Sequence, residues 1–262
     1  MPEGLVNFRD IAAVAEQHGY RVTPGVFYRA DNLGHLSPRG TAELAALGVR
    51  AVVDLRRPEE AEKYPSRITS EPDIAYYHFD VVGDVPELLS RGDTISSTVL
   101  EERNSDGAFT YPVDRLVQIY TMIIDRRAET MRKLFSTMSR VDGPTVFHCV
   151  AGQDRTGIVA AILLRLAGVS VDAVAADYGA TADYNHERYV AWDLPAKTGL
   201  PIFDAESYRA QLCPPEAIIR TVEHLDTAYA GAAAYLAWAG LSSGEIRTLE
   251  GRLTTGTPLS VQ

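Results

Sequence analysis

An apolar run, Pro144-Thr145-Val146-Phe147, enters the ten residues His148-Cys149-Val150-Ala151-Gly152-Gln153-Asp154-Arg155-Thr156-Gly157, and a second apolar run, Ile158 to Leu164, leaves them. No other stretch constrains the fold as tightly: it reads as a strand, a tight loop and the start of a helix. Backbone N–H groups of such a loop can turn inward and form a nest for an oxyanion. The helix N-terminus adds its partial positive charge at the same place. A Cys at the mouth of a nest is favoured as its thiolate, and an Arg closing the loop can hold two phosphate oxygens in a bidentate fork. Five residues lie between Cys149 and Arg155, so nucleophile, cradle and clamp fall within ten residues. A plainer reading makes Cys149 a small buried hydrophobe and gives Gly152 and Gly157 to a turn and close helix packing. That reading leaves Asp154, Arg155 and Thr156 together at a helix start, with His148 just before the Cys, unexplained.

The rest of the chain alternates helix and strand patterns. Ser37-Pro38 reads as a cap and first helical position for a helix over Arg39–Leu47, stopped by Gly48. Val49–Leu55 and Ile74–Val82 read as strands, and Thr145–His148 as the strand feeding the loop. Tyr111–Arg126 and Thr130–Arg140 read as helices, Ser170 caps another through about Ala182, and the chain from Pro215 is helical, broken near Gly231 and Gly240, with Ser242 capping the last helix. This pattern predicts an α/β fold with a central, mostly parallel sheet flanked by helices, and the loop then lies at the carboxyl end of a strand, where such sheets bind ligands. Residues 84–111 are rich in Gly, Pro, Ser and Asn; they read equally as a lid or substrate loop and as a plain surface insertion. No repeat or long linker divides the 262 residues, so a single domain is expected over 1–262, with 254–262 a frayed tail.

Composition excludes several classes. A net charge of −10 and a pI near 5.1 disfavour nucleic acid and anionic membranes as general partners. Two Cys, Cys149 and Cys213, make no disulfide framework and fit a reducing compartment. The N-terminus shows no charged start with an apolar run, and no apolar stretch reaches membrane-spanning length, so no membrane insertion is expected and a cytoplasmic location is, with export lacking a visible signal left open. Oligomeric state is not legible.

The segment His-Cys-x-Ala-Gly-x-Asp-Arg-Thr-Gly resembles the signature loop of the atypical bacterial tyrosine/dual-specificity phosphatases, within the Cys-dependent phosphatase superfamily. Asn7-Phe8-Arg9-Asp10, Tyr28-Arg29-Ala30-Asp31 and Val52-Val53-Asp54-Leu55-Arg56, with Glu59 and Glu60 after, fit the same pattern, as do Ala234-Tyr235-Leu236 and Gly240-Leu241-Ser242. The resemblance implies a protein-tyrosine-phosphatase-like fold with helical lid and C-terminal additions. It implies phosphomonoester hydrolysis by a Cys149 thiolate through a phosphocysteine, on phosphotyrosine or phosphoserine/threonine of proteins. Backbone N–H groups of Val150, Ala151, Gly152, Gln153, Asp154 and Arg155, with the Arg155 side chain, would hold the phosphoryl oxygens. No metal or cofactor is expected, because nest and Arg155 do the charge work, and His148 orients the loop. Thr156 is expected to donate to the sulfur, to cap the helix, or both.

A carboxylic acid must protonate the leaving oxygen. Asp154 stands first by proximity and Asp84 second; Asp80 and Asp54 also follow strands. Asp54 with Arg56 reads at least as well as an ion pair buttressing the loop, and Arg29 and Arg9 as supports or as a widening of the positive pocket. Gln153 stands where the resembled family typically has Lys, and an amide adds no charge for polyanionic inositol phosphates. Small-metabolite or phosphoinositide substrates remain the alternative, and a catalytically weak phospho-binding protein, a rhodanese-type sulfurtransferase and a scaffold are the competing functions.

Overall fold

The computed structural model describes residues 1–85, 113–186 and 204–254. Among the described residues five strands form one sheet: β1 (Arg9–Asp10), β2 (Phe27–Ala30), β3 (Ala51–Asp54), β4 (Ala75–His78) and β5 (Thr145–His148), in the order β1-β2-β5-β3-β4. All neighbours are parallel except β1 and β2. β5 is therefore central, and its four residues are buried on both faces, as a continuous apolar run in a parallel sheet requires.

The alternation of strand side chains divides the core. Phe27, Val53 and Phe147 point into the larger cluster, with Leu134, Phe135 and Ile162 among its members. Ala30, Val52 and Val146 point the other way, into a smaller cluster with Leu33, Leu36, Leu44 and Ile68. The helices are α1 (Ile11–Gln17), α2 (Pro38–Ala46), α3 (Pro58–Lys63), α4 (Val113–Arg126), α5 (Ala128–Arg140), α6 (Asp154–Leu166), α7 (Val171–Asn185), α8 (Ala205–Gln211), α9 (Pro215–Tyr229), α10 (Ala232–Ala239) and α11 (Ser243–Leu253).

The capping residues act as the sequence suggests. Ser37 accepts from the Gly40 N–H and Ser170 from the Ala173 N–H. Ser242 and Glu245 form a reciprocal capping box. The breaks at Gly231 and Gly240 carry φ of 103° and 105°, a region that favours glycine. Two strands are shorter than the apolar runs that announce them. Val49 and Leu55 flank β3 rather than extend it, and β4 ends at His78 instead of Val82. There Asp80 Oδ1 accepts from the N–H groups of Val82 (3.1 Å) and Gly83 (2.9 Å) and turns the chain. β1, α1, β2, α3 and α8 are short elements that the sequence pattern does not announce. Of the proposed lid, residues 86–111 lie outside the described residues, as does the tail beyond Thr254. No helix among the described residues is long and apolar enough to cross a membrane.

Candidate active site

The loop begins where β5 ends. Register sets its neighbours: Ala30 of β2 and Asp54 of β3 lie beside His148. Three consecutive carbonyls after Cys149 are then tied to the scaffold. The Val150 carbonyl accepts from the Asn32 N–H at 2.9 Å. The Ala151 carbonyl accepts from Asn7 Nδ2 (2.8 Å) and Asn185 Nδ2 (3.0 Å). The Gly152 carbonyl accepts from Arg29 Nη2 (2.7 Å) and Asn7 Nδ2 (3.2 Å). In a trans peptide the N–H points opposite its carbonyl, so the N–H groups of Ala151, Gly152 and Gln153 face away from these partners. That is the geometry of an anion nest. Gly152 has φ +68°, and a Cβ there would stand 2.5 Å from the Ala30 carbonyl oxygen, so backbone conformation and space both demand glycine.

Cys149 is buried at the mouth of the loop, and α6 starts at Asp154, where the loop ends. Arg155 on the first turn pairs with both oxygens of Glu60 from α3: Nη1 with Oε2, and Nη2 with Oε1 at 3.1 Å. Burial disfavours the charged guanidinium, but the Cys149 sulfur and Glu60 outweigh it and hold Arg155 above its ordinary value. Glu60 is correspondingly lowered; burial opposes this, and Arg155 with the Arg57 N–H brings it about. The Thr156 hydroxyl is buried without a hydrogen-bond partner among the described residues, so the helix does not use it as a cap.

The sequence profile of the tyrosine phosphatase family matches residues 2–255. The chain belongs to the tyrosine phosphatase family. A tyrosine-protein phosphatase of Nostoc commune is 28% identical over 235 residues, covering 87% of this chain and 74% of that protein. The triple specificity protein phosphatase PtpB of Mycobacterium tuberculosis is 31% identical over 189 residues, 67% of this chain and 66% of that protein. Family and relatives make this a protein-tyrosine-phosphatase-like phosphatase.

Within this tyrosine phosphatase the other expected residues divide into neighbours and outliers. Asp154 is half-buried, and its Oδ1 accepts from the Tyr120 hydroxyl, which also pairs with Tyr178 Oη at 2.8 Å. Asp84 is two-thirds exposed and sits 3.8 Å from Arg127. Gln153 is buried: its amide donates to the Leu212 carbonyl (2.7 Å) and accepts from the Tyr208 hydroxyl (2.8 Å), which fixes α8 beside the loop. Tyr120, Tyr208, Asn185 and Asp177 are contributors that sequence reasoning missed. Each lies far from the loop in sequence, and no spacing marks it. Among the described residues no group of three or more His, Cys, Asp and Glu is placed to hold a metal ion.

Asp54, Arg56 and His148 form a buried support. Arg56 forks onto Asp54 through Nε (2.9 Å to Oδ1) and Nη2 (2.6 Å to Oδ2), Tyr76 donates to Oδ2 at 2.6 Å, and Arg56 Nη1 reaches Asn32 Oδ1 at 2.8 Å. The His148 ring is 3.6 Å from Asp54 and bonds the Cys149 carbonyl through Nδ1 at 3.0 Å. Burial pushes His148 below its ordinary value against the pull of Asp54. Asp54 shows the reverse: burial would raise it, yet His148 and the Arg56 fork hold it well below the usual carboxylate range. An acid so depressed contributes stability in full above the unfolded value and loses it as pH falls through that range toward the folded value. Asp54→Asn leaves Arg56 buried without its anion and is expected to cost about 3–5 kcal/mol. Chemical denaturation at neutral pH and near pH 3 checks this: the gap between wild type and variant should narrow at the lower pH, and a gap independent of pH removes the carboxylate charge as the cause.

Proposed function

We propose that this phosphatase hydrolyses phosphomonoesters through Cys149, on phosphotyrosine or phosphoserine/threonine of proteins. The observation that carries the reading is the trio of carbonyls directly after Cys149 held outward by Asn32, Asn7, Asn185 and Arg29. Such a loop aims its N–H groups at a charge it does not itself contain. Cys149 as thiolate attacks phosphorus in line; the P–S bond forms as the P–O bond to the leaving group breaks, giving a phosphocysteine. Backbone N–H groups of Val150 to Arg155 and the Arg155 guanidinium hold the three remaining oxygens. Water then displaces the sulfur, and Thr156 donates a hydrogen bond to the departing thiolate, which fits its otherwise unpartnered hydroxyl.

Asp154 is assigned as the proton donor to the leaving oxygen and as the base for the attacking water. It lies in the loop, with Tyr120 holding Oδ1, whereas Asp84 is committed to solvent and Arg127. Asp154→Asn is expected to slow phenyl phosphate by about 100-fold and p-nitrophenyl phosphate by less than about tenfold, because a good leaving group departs without a proton. Equal losses on both esters would remove Asp154 from this role.

Buried Gln153 adds no charge to the cradle, which favours singly phosphorylated groups over polyanionic inositol phosphates. The triple specificity in the name of the Mycobacterium relative agrees with a cradle that reads the phosphoryl group more than the alcohol behind it. Metal-free hydrolysis in EDTA of phosphotyrosyl and phosphoseryl peptides, set against phosphoinositides, tests the reading. Higher kcat/KM on the peptides is expected, and preference for the inositol lipids would reverse the substrate assignment.

A further inference from the structure

The charge behind the loop does not balance. Arg29 is fully buried; Nη2 donates to the Gly152 carbonyl at 2.7 Å and Nη1 pairs with Asp177 Oδ2. Arg9 sets Nε 3.0 Å from Asp177 Oδ1 and Nη2 2.6 Å from the Asp177 carbonyl, while Nη1 reaches Asn7 Oδ1. Thr181 Oγ1 accepts from both guanidinium groups, at 3.2 and 3.5 Å. Two cations thus share one carboxylate, and none of the three residues is more than 4% exposed. Burial and repulsion by Arg29 lower Arg9 to about 10, with Asp177 opposing, so Arg9 stays charged at neutral pH.

Among the described residues Asp177 is the carboxylate paired with Arg9 and Arg29, and buried Asp31 accepts from the Val6 and Asn7 N–H groups instead. The Tyr184 ring lies 5.0 Å under Arg9. Burial, with neighbouring charges, pushes Tyr178 and Cys213 up, so both stay protonated. Glu60 is spent on Arg155, and Asp54 on Arg56. His148 is neutral. Asp154, on α6, accepts from the Tyr120 hydroxyl at Oδ1. An uncompensated buried cation is costly unless an anion faces it, and the Gly152 carbonyl that Arg29 holds belongs to the very loop built for one.

We propose that Arg9 and Arg29 are positioning residues whose shared excess charge, applied from behind Gly152, raises both the oxyanion affinity of the loop and the ionised fraction of Cys149. This rests on Cys149 as nucleophile. The test is the pH profile of iodoacetamide inactivation, with the inhibition constant of inorganic phosphate, in wild type, Arg9→Met, Arg9→Lys and Asp177→Asn, each checked for folding by thermal melting. Arg9→Met brings the cluster to neutrality, so the inactivation limb should move up by about one pH unit and phosphate should bind about tenfold more weakly. Arg9→Lys should stay near wild type. Asp177→Asn should move the limb downward, and it carries the same test with the sign reversed if Arg9→Met does not fold. A folded Arg9→Met or Asp177→Asn with an unmoved limb overturns the proposal, and so does Arg9→Lys behaving like Arg9→Met, since that marks packing rather than charge. If Cys149→Ser retains turnover, the nucleophile reading itself fails; if only the limb stays fixed, the platform alone fails.

Discussion

Cys149→Ser is expected to abolish turnover of p-nitrophenyl phosphate, by about 10⁴-fold or more, while the protein folds and still binds inorganic phosphate. A serine hydroxyl keeps its proton at neutral pH, and two candidate bases beside it are engaged elsewhere: the His148 ring is turned to the Cys149 carbonyl, and Asp54 is locked by Arg56. The exchange of sulfur for oxygen changes little else. Cys149 is buried, the Ser is slightly smaller, and the carbonyls that shape the cradle are held by other residues. Turnover and phosphate protection against thermal unfolding therefore separate. Lost turnover with retained protection identifies Cys149 as the group that makes and breaks the bond to phosphorus. Turnover within tenfold of wild type would assign the nucleophile elsewhere, and loss of both properties together would mean that the sulfur shapes the loop rather than attacks.

The loop was legible because its chemistry is contiguous. A strand, a nest and a helix start occupy neighbouring residues, so His148 to Gly157 declare each other without knowledge of the fold. β5 and α6 follow from the same run of residues. Asp54 and Arg56 were readable as a pair because they lie two residues apart at a strand end, and the structure joins them by a fork. Glu60 could be noticed but not placed, since only the parallel pairing of β3 with β5 brings α3 over Arg155. Asp177 and Asn185 could not be found at all. Each is a polar residue on a helix most of whose buried positions are apolar or small, and its meaning comes from Arg9, Arg29 and Ala151 arriving from distant strands and loops. Where β4 ends was misjudged for a related reason: Phe79 to Val82 have strand-like composition, but the Asp80 side chain offers two backbone N–H groups a turn instead.

Arg155→Lys is expected to lower kcat/KM by about 10³-fold, although the charge is kept. Guanidinium has five N–H donors in one plane. Glu60 takes one from each terminal nitrogen, which leaves Nε–H and the neighbouring Nη–H as a parallel pair able to grip two phosphoryl oxygens together. Ammonium has no such edge, and a point charge follows the oxygens less faithfully as phosphorus moves from the leaving group toward sulfur. The loss should fall on kcat more than on KM, because the fork matters most in the transition state. Glu60→Gln makes the comparison informative. An amide can still accept one hydrogen bond but cannot anchor both ends, so Arg155 stays charged and becomes less well aimed, and a loss of about tenfold is expected. If Glu60→Gln costs as much as Arg155→Lys, anchoring and charge on Glu60 dominate the clamp. If Arg155→Lys costs less than tenfold, bidentate geometry is dispensable, and the backbone nest carries the transition state on its own.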